Sequence, residues 1–155
     1  MAFNSSKVFR AFIKDALGRT NAFDLDAGAD TPKVALYGNG ITPDQDATSA
    51  NTAYGAGQWV TSISDTNWPA AGRPLVNGAL SSATAATVFY DADDTVSNGN
   101  VTLSAVFGCL VYDDTLASVV NDQGLCYNYF GGTQSVTAGS FTVVWHANGI
   151  FRITL

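Results

Sequence analysis

The 155-residue sequence contains no glutamate, and only seven of its residues are lysine or arginine. All 13 acidic residues are therefore aspartate. Aspartate caps turns through its short carboxylate, whereas glutamate favours helix interiors, so this bias predicts many turns and little helix. With a net charge of −6, the chain lacks the basic patch that binds polyanions, and we expect no nucleic-acid partner.

Charge of either sign is scarce, since charged residues make up 13% of the chain and hydrophobic residues 46%. Disordered segments combine low hydrophobicity with high charge, so this composition predicts a folded chain. Its length fits one domain. The exterior must then be covered mainly by Thr, Ser, Asn and Gly. Such a surface suits extended packing against other proteins, although many monomeric β-proteins share it.

Long apolar runs are missing as well. No stretch approaches the roughly 20 residues that a membrane-spanning helix needs, so we expect no membrane partner. The amino-terminal stretch is interrupted by Lys7, Arg10 and Lys14, which predicts that it is not a signal peptide.

The sequence offers few groups for catalysis. Its single histidine, His146, alternates with Val143 and Trp145 in an apolar strand, which predicts a surface or interface position rather than a place in a Ser-His-Asp triad. Carboxylate pairs for glycoside hydrolysis could still converge from distant strands, but no local sequence indicates an acid of raised pKa. We therefore predict a protein that is not an enzyme and has no catalytic residues.

Metal and cofactor sites have equally little support. Zinc sites need more histidine and cysteine than this chain has. Calcium could use aspartates clustered at turns, but their spacing does not match an EF-hand loop, and such aspartates usually cap the backbone. The two clusters are Asp91, Asp93 and Asp94, and Asp44 and Asp46. We predict no metal site and no cofactor.

The two cysteines, Cys109 and Cys126, lie in neighbouring predicted strands. We expect buried free thiols, because no secretory signal accompanies them. A cross-strand disulfide stays open, since the sequence does not fix the distance between their Cα atoms. Their separation excludes a CxxC redox pair.

Four aromatic residues could form a sugar-stacking platform, as in a glycan-binding module. They are Trp59, Trp68, Tyr127 and Tyr129. Large aromatic side chains are more often buried, so we expect most of them in the core.

One amphipathic helix is predicted, at the amino terminus. Its apolar stripe, at the i, i+3, i+4, i+7 spacing, consists of Val8, Phe9, Phe12, Ile13, Ala16 and Leu17. Ser5 or Ser6 can cap its start, and Gly18 can end it in the left-handed conformation. Two interpretations stay open: a helix folded over the β-body, or an arm that docks on a neighbouring subunit.

The rest of the chain alternates short β-forming runs with turns. The predicted strands are residues 33–37, 58–63, 76–80, 84–90, 101–107, 109–112, 124–130, 140–146 and 150–154. Asn148-Gly149 predicts a hairpin between the last two strands, because type I′ turns need positive φ at both positions. Pro69 and Pro74 exclude a central strand from the irregular segment 67–75.

These patterns predict a mainly β fold, an antiparallel β-sandwich of jelly-roll or immunoglobulin-like type. We assign residues 1–23 to an amino-terminal helix or arm and residues 24–155 to the β-sandwich domain. The loop Gly38–Gly57 is long, and only Ile41 and Tyr54 in it are large and apolar. Loops longer than about 15 residues are usually binding elements, which makes this one a candidate subunit contact.

Several short segments resemble a family of small structural proteins of tailed bacteriophages, especially phages of actinobacteria. The segments are Asp30-Thr-Pro-Lys-Val-Ala-Leu-Tyr37, Ala50-Asn-Thr-Ala-Tyr54, Trp68-Pro-Ala-Ala-Gly-Arg-Pro-Leu75, Gly108-Cys-Leu-Val-Tyr-Asp-Asp114, and the stretch from Phe130-Gly-Gly-Thr-Gln-Ser-Val136 to Trp145. The resemblance covers nearly everything after residue 24, and none of these motifs is catalytic.

This resemblance implies a head decoration (cement) protein that binds the outer surface of the major capsid protein lattice, self-associates as a homotrimer and stabilises the head. It implies a location on the capsid exterior of the virion, after assembly in the host cytoplasm. The alternatives are a tail or head-fibre protein, or a host-glycan-binding module. We expect the segment Ala2–Leu17 and the loop Gly38–Gly57 to make the contacts, and expect deletion of Ala2–Leu17 to leave a folded β-domain.

Overall fold

The computed structural model describes residues 3–26, 30–83, 86–116 and 119–154. The helices in this part of the chain are α1 (Arg10–Gly18) and α2 (Ser49–Thr52). The strands are β1 (Lys7–Val8), β2 (Pro32–Tyr37), β3 (Arg73–Pro74), β4 (Ala79–Ala83), β5 (Thr87–Asp91), β6 (Thr95–Val96), β7 (Val101–Asp113), β8 (Gly124–Gly139), β9 (Thr142–Val143) and β10 (Phe151–Thr154).

These strands form antiparallel sheets of three sizes. The largest has five strands in the order β1-β8-β7-β2-β3, the second has the order β10-β5-β4, and β6 pairs with β9. The predicted class, mainly β and antiparallel with a short amino-terminal helix, is confirmed. The packing of the sheets as a jelly-roll or immunoglobulin-like sandwich stays a prediction.

The longest strands are β7 and β8, which pair along most of their length. The two strands predicted at residues 101–107 and 109–112 are one continuous strand, because Gly108 does not interrupt it. A Cβ atom at Gly108 would lie 2.3 Å from the ring of Phe3 and 2.4 Å from the backbone oxygen of Asn128. The glycine is therefore needed for close packing against the core and does not mark a turn.

The strand predicted at residues 58–63 is wrong. Only Ile63 pairs, as an isolated bridge to Leu36, and the preceding residues form turns around Trp59. The amide of Trp59 donates to the oxygen of Ala56 at 2.8 Å, and its own oxygen accepts from the amide of Gly55 at 3.1 Å. This turn places the Trp59 ring in the core, where it is 2% exposed.

The chain turns here, but neither the type I′ turn nor the hairpin predicted at Asn148-Gly149 is present, because Asn148 does not have positive φ and the turn is centred on Ala147 and Asn148. The amide of Gly149, whose φ is 89°, donates to the oxygen of His146 at 2.7 Å. The flanking strands belong to different sheets, since β9 pairs with β6 and β10 pairs with β5. The segment is thus a crossing between two sheets, and the strand predicted at residues 140–146 shrinks to Thr142–Val143.

Smaller corrections concern the second sheet, whereas the exclusion of a central strand from residues 67–75 agrees with the structure. The strands predicted at residues 76–80 and 84–90 are Ala79–Ala83 and Thr87–Asp91, and Thr84 lies outside the described residues. Pro74 does lie in a strand, the two-residue β3 at the edge of the large sheet. An edge strand tolerates proline because one of its sides needs no amide donor.

Both predicted ends of the helix are wrong by a few residues. Helix α1 starts after Phe9, and no described side chain caps it. The residues before it form β1, and Ser6 Oγ instead accepts a hydrogen bond from the Tyr129 amide at 2.9 Å. The left-handed residue at its end is Arg19, with φ of 54°, rather than Gly18.

The amino-terminal segment is folded over its own β-body. Phe3, Phe9 and Phe12 belong to the same hydrophobic core as the strands. The ring of Phe9 lies 6.1 Å from that of Trp59 and 5.2 Å from that of Tyr127, centroid to centroid. Deletion of Ala2–Leu17 would therefore remove core side chains, and we now expect it to destabilise the β-body.

We predict that Phe9→Ala lowers the free energy of unfolding by about 3–5 kcal/mol, because it opens a cavity between Trp59 and Tyr127. Leu17→Ala is the matched control, because the side chain of Leu17 is 82% exposed and its loss should cost less than about 0.5 kcal/mol. Chemical denaturation followed by tryptophan fluorescence measures both. Equal, small losses would show that the amino-terminal segment is detachable.

Candidate functional site

The histidine and the two cysteines differ in their exposure to solvent. His146 is exposed, as predicted, and its Nδ1 accepts a hydrogen bond from the Asn148 amide at 3.0 Å. Cys109 and Cys126 are free and buried, and burial raises the pKa of Cys126 to about 12 and that of Cys109 well above its ordinary value. In the described residues, His, Cys and Asp side chains nowhere gather in a group of three that could hold a metal ion.

The aromatic residues considered for sugar stacking are mainly in the core, as expected. Trp59, Trp68 and Tyr127 are buried, and Tyr129 is half-buried. The hydroxyl of Tyr37 donates to the backbone oxygen of Trp59 at 2.8 Å, which ties this cluster to β2. These four rings therefore do not form an exposed platform.

The two elements predicted to make contacts lie side by side. The loop Gly38–Gly57, which contains α2, runs along α1. At the start of α1, the amide of Arg10 donates to the oxygen of Gln45 at 3.0 Å, and its guanidinium lies 2.9 Å from the carboxylate of Asp46. That ion pair is exposed, so it contributes little to stability.

A buried polar network fixes α1 and the loop to the body. Asp15 of α1 is 3% exposed, and its Oδ2 accepts from the Ser49 hydroxyl at 2.5 Å and from the Gln123 amide at 2.9 Å. Gln123 in turn accepts from the Asn21 amide, and Asn21 Oδ1 accepts from the amide of Val119 at 3.1 Å. Helix, loop and the β7–β8 connection are thereby joined through one carboxylate.

The start of β8 is shaped to receive both elements. A Cβ atom at Gly124 would lie 2.5 Å from the backbone oxygen of Thr52 in α2 and 2.8 Å from the ring of Phe9. The glycine therefore lets the loop and the residue before α1 approach the same point of the sheet. Because the Thr52 oxygen belongs to the backbone, a larger residue would displace the loop.

We call the resulting surface the helix–loop face. It comprises the exposed residues of α1 and of the loop: Arg10, Lys14, Leu17, Gly18, Asn39, Gly40, Thr42, Asp44, Asp46, Thr48, Ala50, Asn51, Gly55 and Gly57. On the other side of α1, an apolar groove of about 320 Å³ separates the helix from the second sheet. Leu17 lines this groove together with Leu80, Val88 and Ile153.

The structure also contains a carboxylic acid of raised pKa that the sequence did not indicate. Asp113, at the end of β7, is fully buried. Its pKa is raised to about 7, mainly because burial disfavours the charged form and secondly because Asp30 lies nearby. Its Oδ1 accepts from the Thr115 amide at 2.9 Å. Its Oδ2 is buried and has no hydrogen-bond partner among the described residues.

The position of this pair follows from strand register. Pro32 lies opposite Asp113 in the β2–β7 pair, so Asp30 comes close to the end of β7. No sequence motif could have shown this. For Asp15 the sequence contains a weak indication of burial, since this residue lies three positions after Phe12 and hence on the same side of α1.

Comparisons with protein-family models, with curated proteins and with solved structures find no match for this chain. No helix in the described residues is long and apolar enough to cross a membrane. The resemblance to phage decoration proteins therefore stays a prediction that rests on the sequence motifs.

We predict that Asp15→Ala lowers the free energy of unfolding by about 2–3 kcal/mol, because it leaves the buried amide of Gln123 and the half-buried hydroxyl of Ser49 without their acceptor. Asp46→Ala removes an exposed carboxylate from the same region and should cost less than about 1 kcal/mol. Urea denaturation of both variants tests this difference. Similar losses would mean that the network does not fix α1 to the body.

A second prediction concerns pH. The pKa of Asp113 is higher in the folded chain than its ordinary value of 3.8, so folding is favoured by proton binding. Its contribution to stability is full below about pH 4 and is lost as the pH rises towards 7. Between pH 4 and 8, the Tm of the wild type should therefore fall relative to that of Asp113→Asn, whose neutral amide cannot ionise.

Thermal unfolding at matched ionic strength across this pH range measures the difference. Parallel Tm curves for the two proteins would contradict the assignment. Asp114→Asn is a suitable control, because it removes a carboxylate at the adjacent residue, which forms a partly exposed ion pair with Lys33.

Proposed function

We propose that this protein is a capsid decoration protein of a tailed bacteriophage, which binds the outer surface of the major capsid protein lattice and stabilises the head. It self-associates, as a homotrimer, on the exterior of the virion. The resemblance of its sequence motifs to those of phage structural proteins supports the proposal, as does the scarcity of charge on a chain rich in Ser, Thr, Asn and Gly.

The helix–loop face is the observation that carries this proposal. It unites the two segments that lie outside the strands, and the Asp15 network fixes them in one arrangement. A surface that is ordered before binding loses less conformational entropy on association than a flexible arm does. Leu17 adds an exposed apolar side chain at the rim of the groove, as a protein-contact surface requires.

Decoration also suits the physical character of the surface. A stabilising clamp on a lattice works through many copies, each of which makes modest contacts, so no single strong bond is needed. The net charge of −6 would keep the decorated particles mutually repulsive.

A tail or head-fibre protein of the same kind of phage is the principal alternative. It would share the fold and the motifs and differ in its place on the particle. A glycan-binding module has less support, because the rings that could stack on sugars are mainly buried.

Binding to isolated, tail-less heads that lack this protein tests the proposal. We expect the wild type to saturate the heads and Leu17→Asp to lower occupancy by at least about tenfold, because a charge would be buried at the contact. The matched control is Val144→Asp, since Val144 is also a large exposed side chain, 71% exposed, but lies outside the helix–loop face.

Circular dichroism establishes that both variants are folded. Equal occupancy of the two variants would remove the helix–loop face as the contact. If the wild type does not bind heads but binds tails, the tail alternative replaces the proposal.

A further inference from the structure

A cleft of about 460 Å³ lies between two sheets, and its lining shares no residue with the helix–loop face. Its walls are β1, at the edge of the five-stranded sheet, and β10, at the edge of the three-stranded sheet. The turn before β10 closes one end. The polar residues that line it are Ser6, Lys7, Asn128, His146, Asn148 and Arg152.

The charge of this cleft is opposite to that of the chain. Lys7, Arg152 and His146 line it, and none of the described residues in its lining is an aspartate. The chain as a whole carries 13 aspartates and a net charge of −6. Basic residues that converge without a counter-charge produce a local positive potential on an otherwise acidic surface.

The cations of the cleft are also not used by the fold. Elsewhere, Arg10 pairs with Asp46 and Lys33 pairs with Asp114. Within the described part of the chain, Lys7 and Arg152 form no ion pair. Both are exposed, so their donors are available to a ligand.

His146 adds a donor whose position is fixed by the turn. Its Nδ1 accepts the hydrogen bond from the Asn148 amide, so in the neutral ring the proton is on Nε2. The ring thus presents an N–H group even when it is uncharged. The side-chain amide of Asn148 adds donors, as does that of Asn128, which also donates to Cys126 Sγ at 3.5 Å, and the described lining contains no carboxylate acceptor.

We propose that this cleft is an oxyanion-binding site. Lys7 and Arg152 supply charge-assisted hydrogen bonds to the oxygen atoms of the ligand, and His146 and the asparagine amides complete their coordination. The same donors suit a phosphate group and the carboxylate of an acidic peptide. The site shares no residue with the helix–loop face and does not depend on the capsid role.

Two-dimensional amide NMR with two probes tests the proposal. The probes are inorganic phosphate and an acetylated Asp-Asp dipeptide amide, each titrated at constant ionic strength against sodium chloride. We expect at least one probe to shift the resonances of residues 6–8 and 146–152. In the double variant Lys7→Gln/Arg152→Gln, the affinity of the protein for that probe should fall by roughly tenfold. This corresponds to the loss of one or two charge-assisted hydrogen bonds.

The control is Lys14→Gln/Arg19→Gln, which makes the same change in net charge at exposed residues outside the cleft. This variant should bind as the wild type does. Binding of phosphate alone identifies a phosphate-type ligand, and binding of the dipeptide alone identifies a protein carboxylate. Equal weakening in both double variants, or shifts spread over the whole surface, would overturn the proposal, because either result indicates general charge screening.

Discussion

The antiparallel pair β7–β8 is the constraint on which the rest of the structure depends. On one side, β2 pairs with β7 over six residues, and on the other, β1 pairs with β8. The amino-terminal segment packs against the start of β8. It can do so because Gly124 has no side chain, which leaves room for the ring of Phe9 and the backbone of Thr52. Both the large sheet and the surface that we propose as the contact are therefore positioned by this one pair of strands.

The helix–loop face shows how a chain with little charge can hold a surface in place. Its exposed ion pair, Arg10–Asp46, contributes little to stability, whereas the buried carboxylate of Asp15 accepts two hydrogen bonds and orders three segments. Buried polar networks of this kind specify one arrangement because every alternative leaves a donor or acceptor unpaired. An ordered contact surface suits a protein that must occupy many equivalent positions.

The sequence predicted those elements whose signals are local. Strand β2 was predicted within one residue, because a run of β-forming residues follows Pro32 and ends at Gly38. The prediction wrongly divided β7 at Gly108. This glycine leaves room for the ring of Phe3, and the sequence alone does not show that contact. Asn148-Gly149 indicated that the chain turns here, but not the type of turn or the pairing of the flanking strands, because pairing partners are set by long-range register. The sequence indicated the loop and α1 as two separate contact elements. It did not show that hydrogen bonds of Asp15 and Gln123 hold them together, because these bonds depend on tertiary packing.

The central claim is that this fold presents the helix–loop face to a capsid lattice. A three-dimensional reconstruction of the phage particle, at a resolution that shows strands and helices, tests it most directly. Our account predicts copies of this chain over the outer surface of the head, each with α1 and the loop Gly38–Gly57 against the major capsid protein. Density for the chain in the tail alone, or on the head with the helix–loop face turned to solvent, would contradict it.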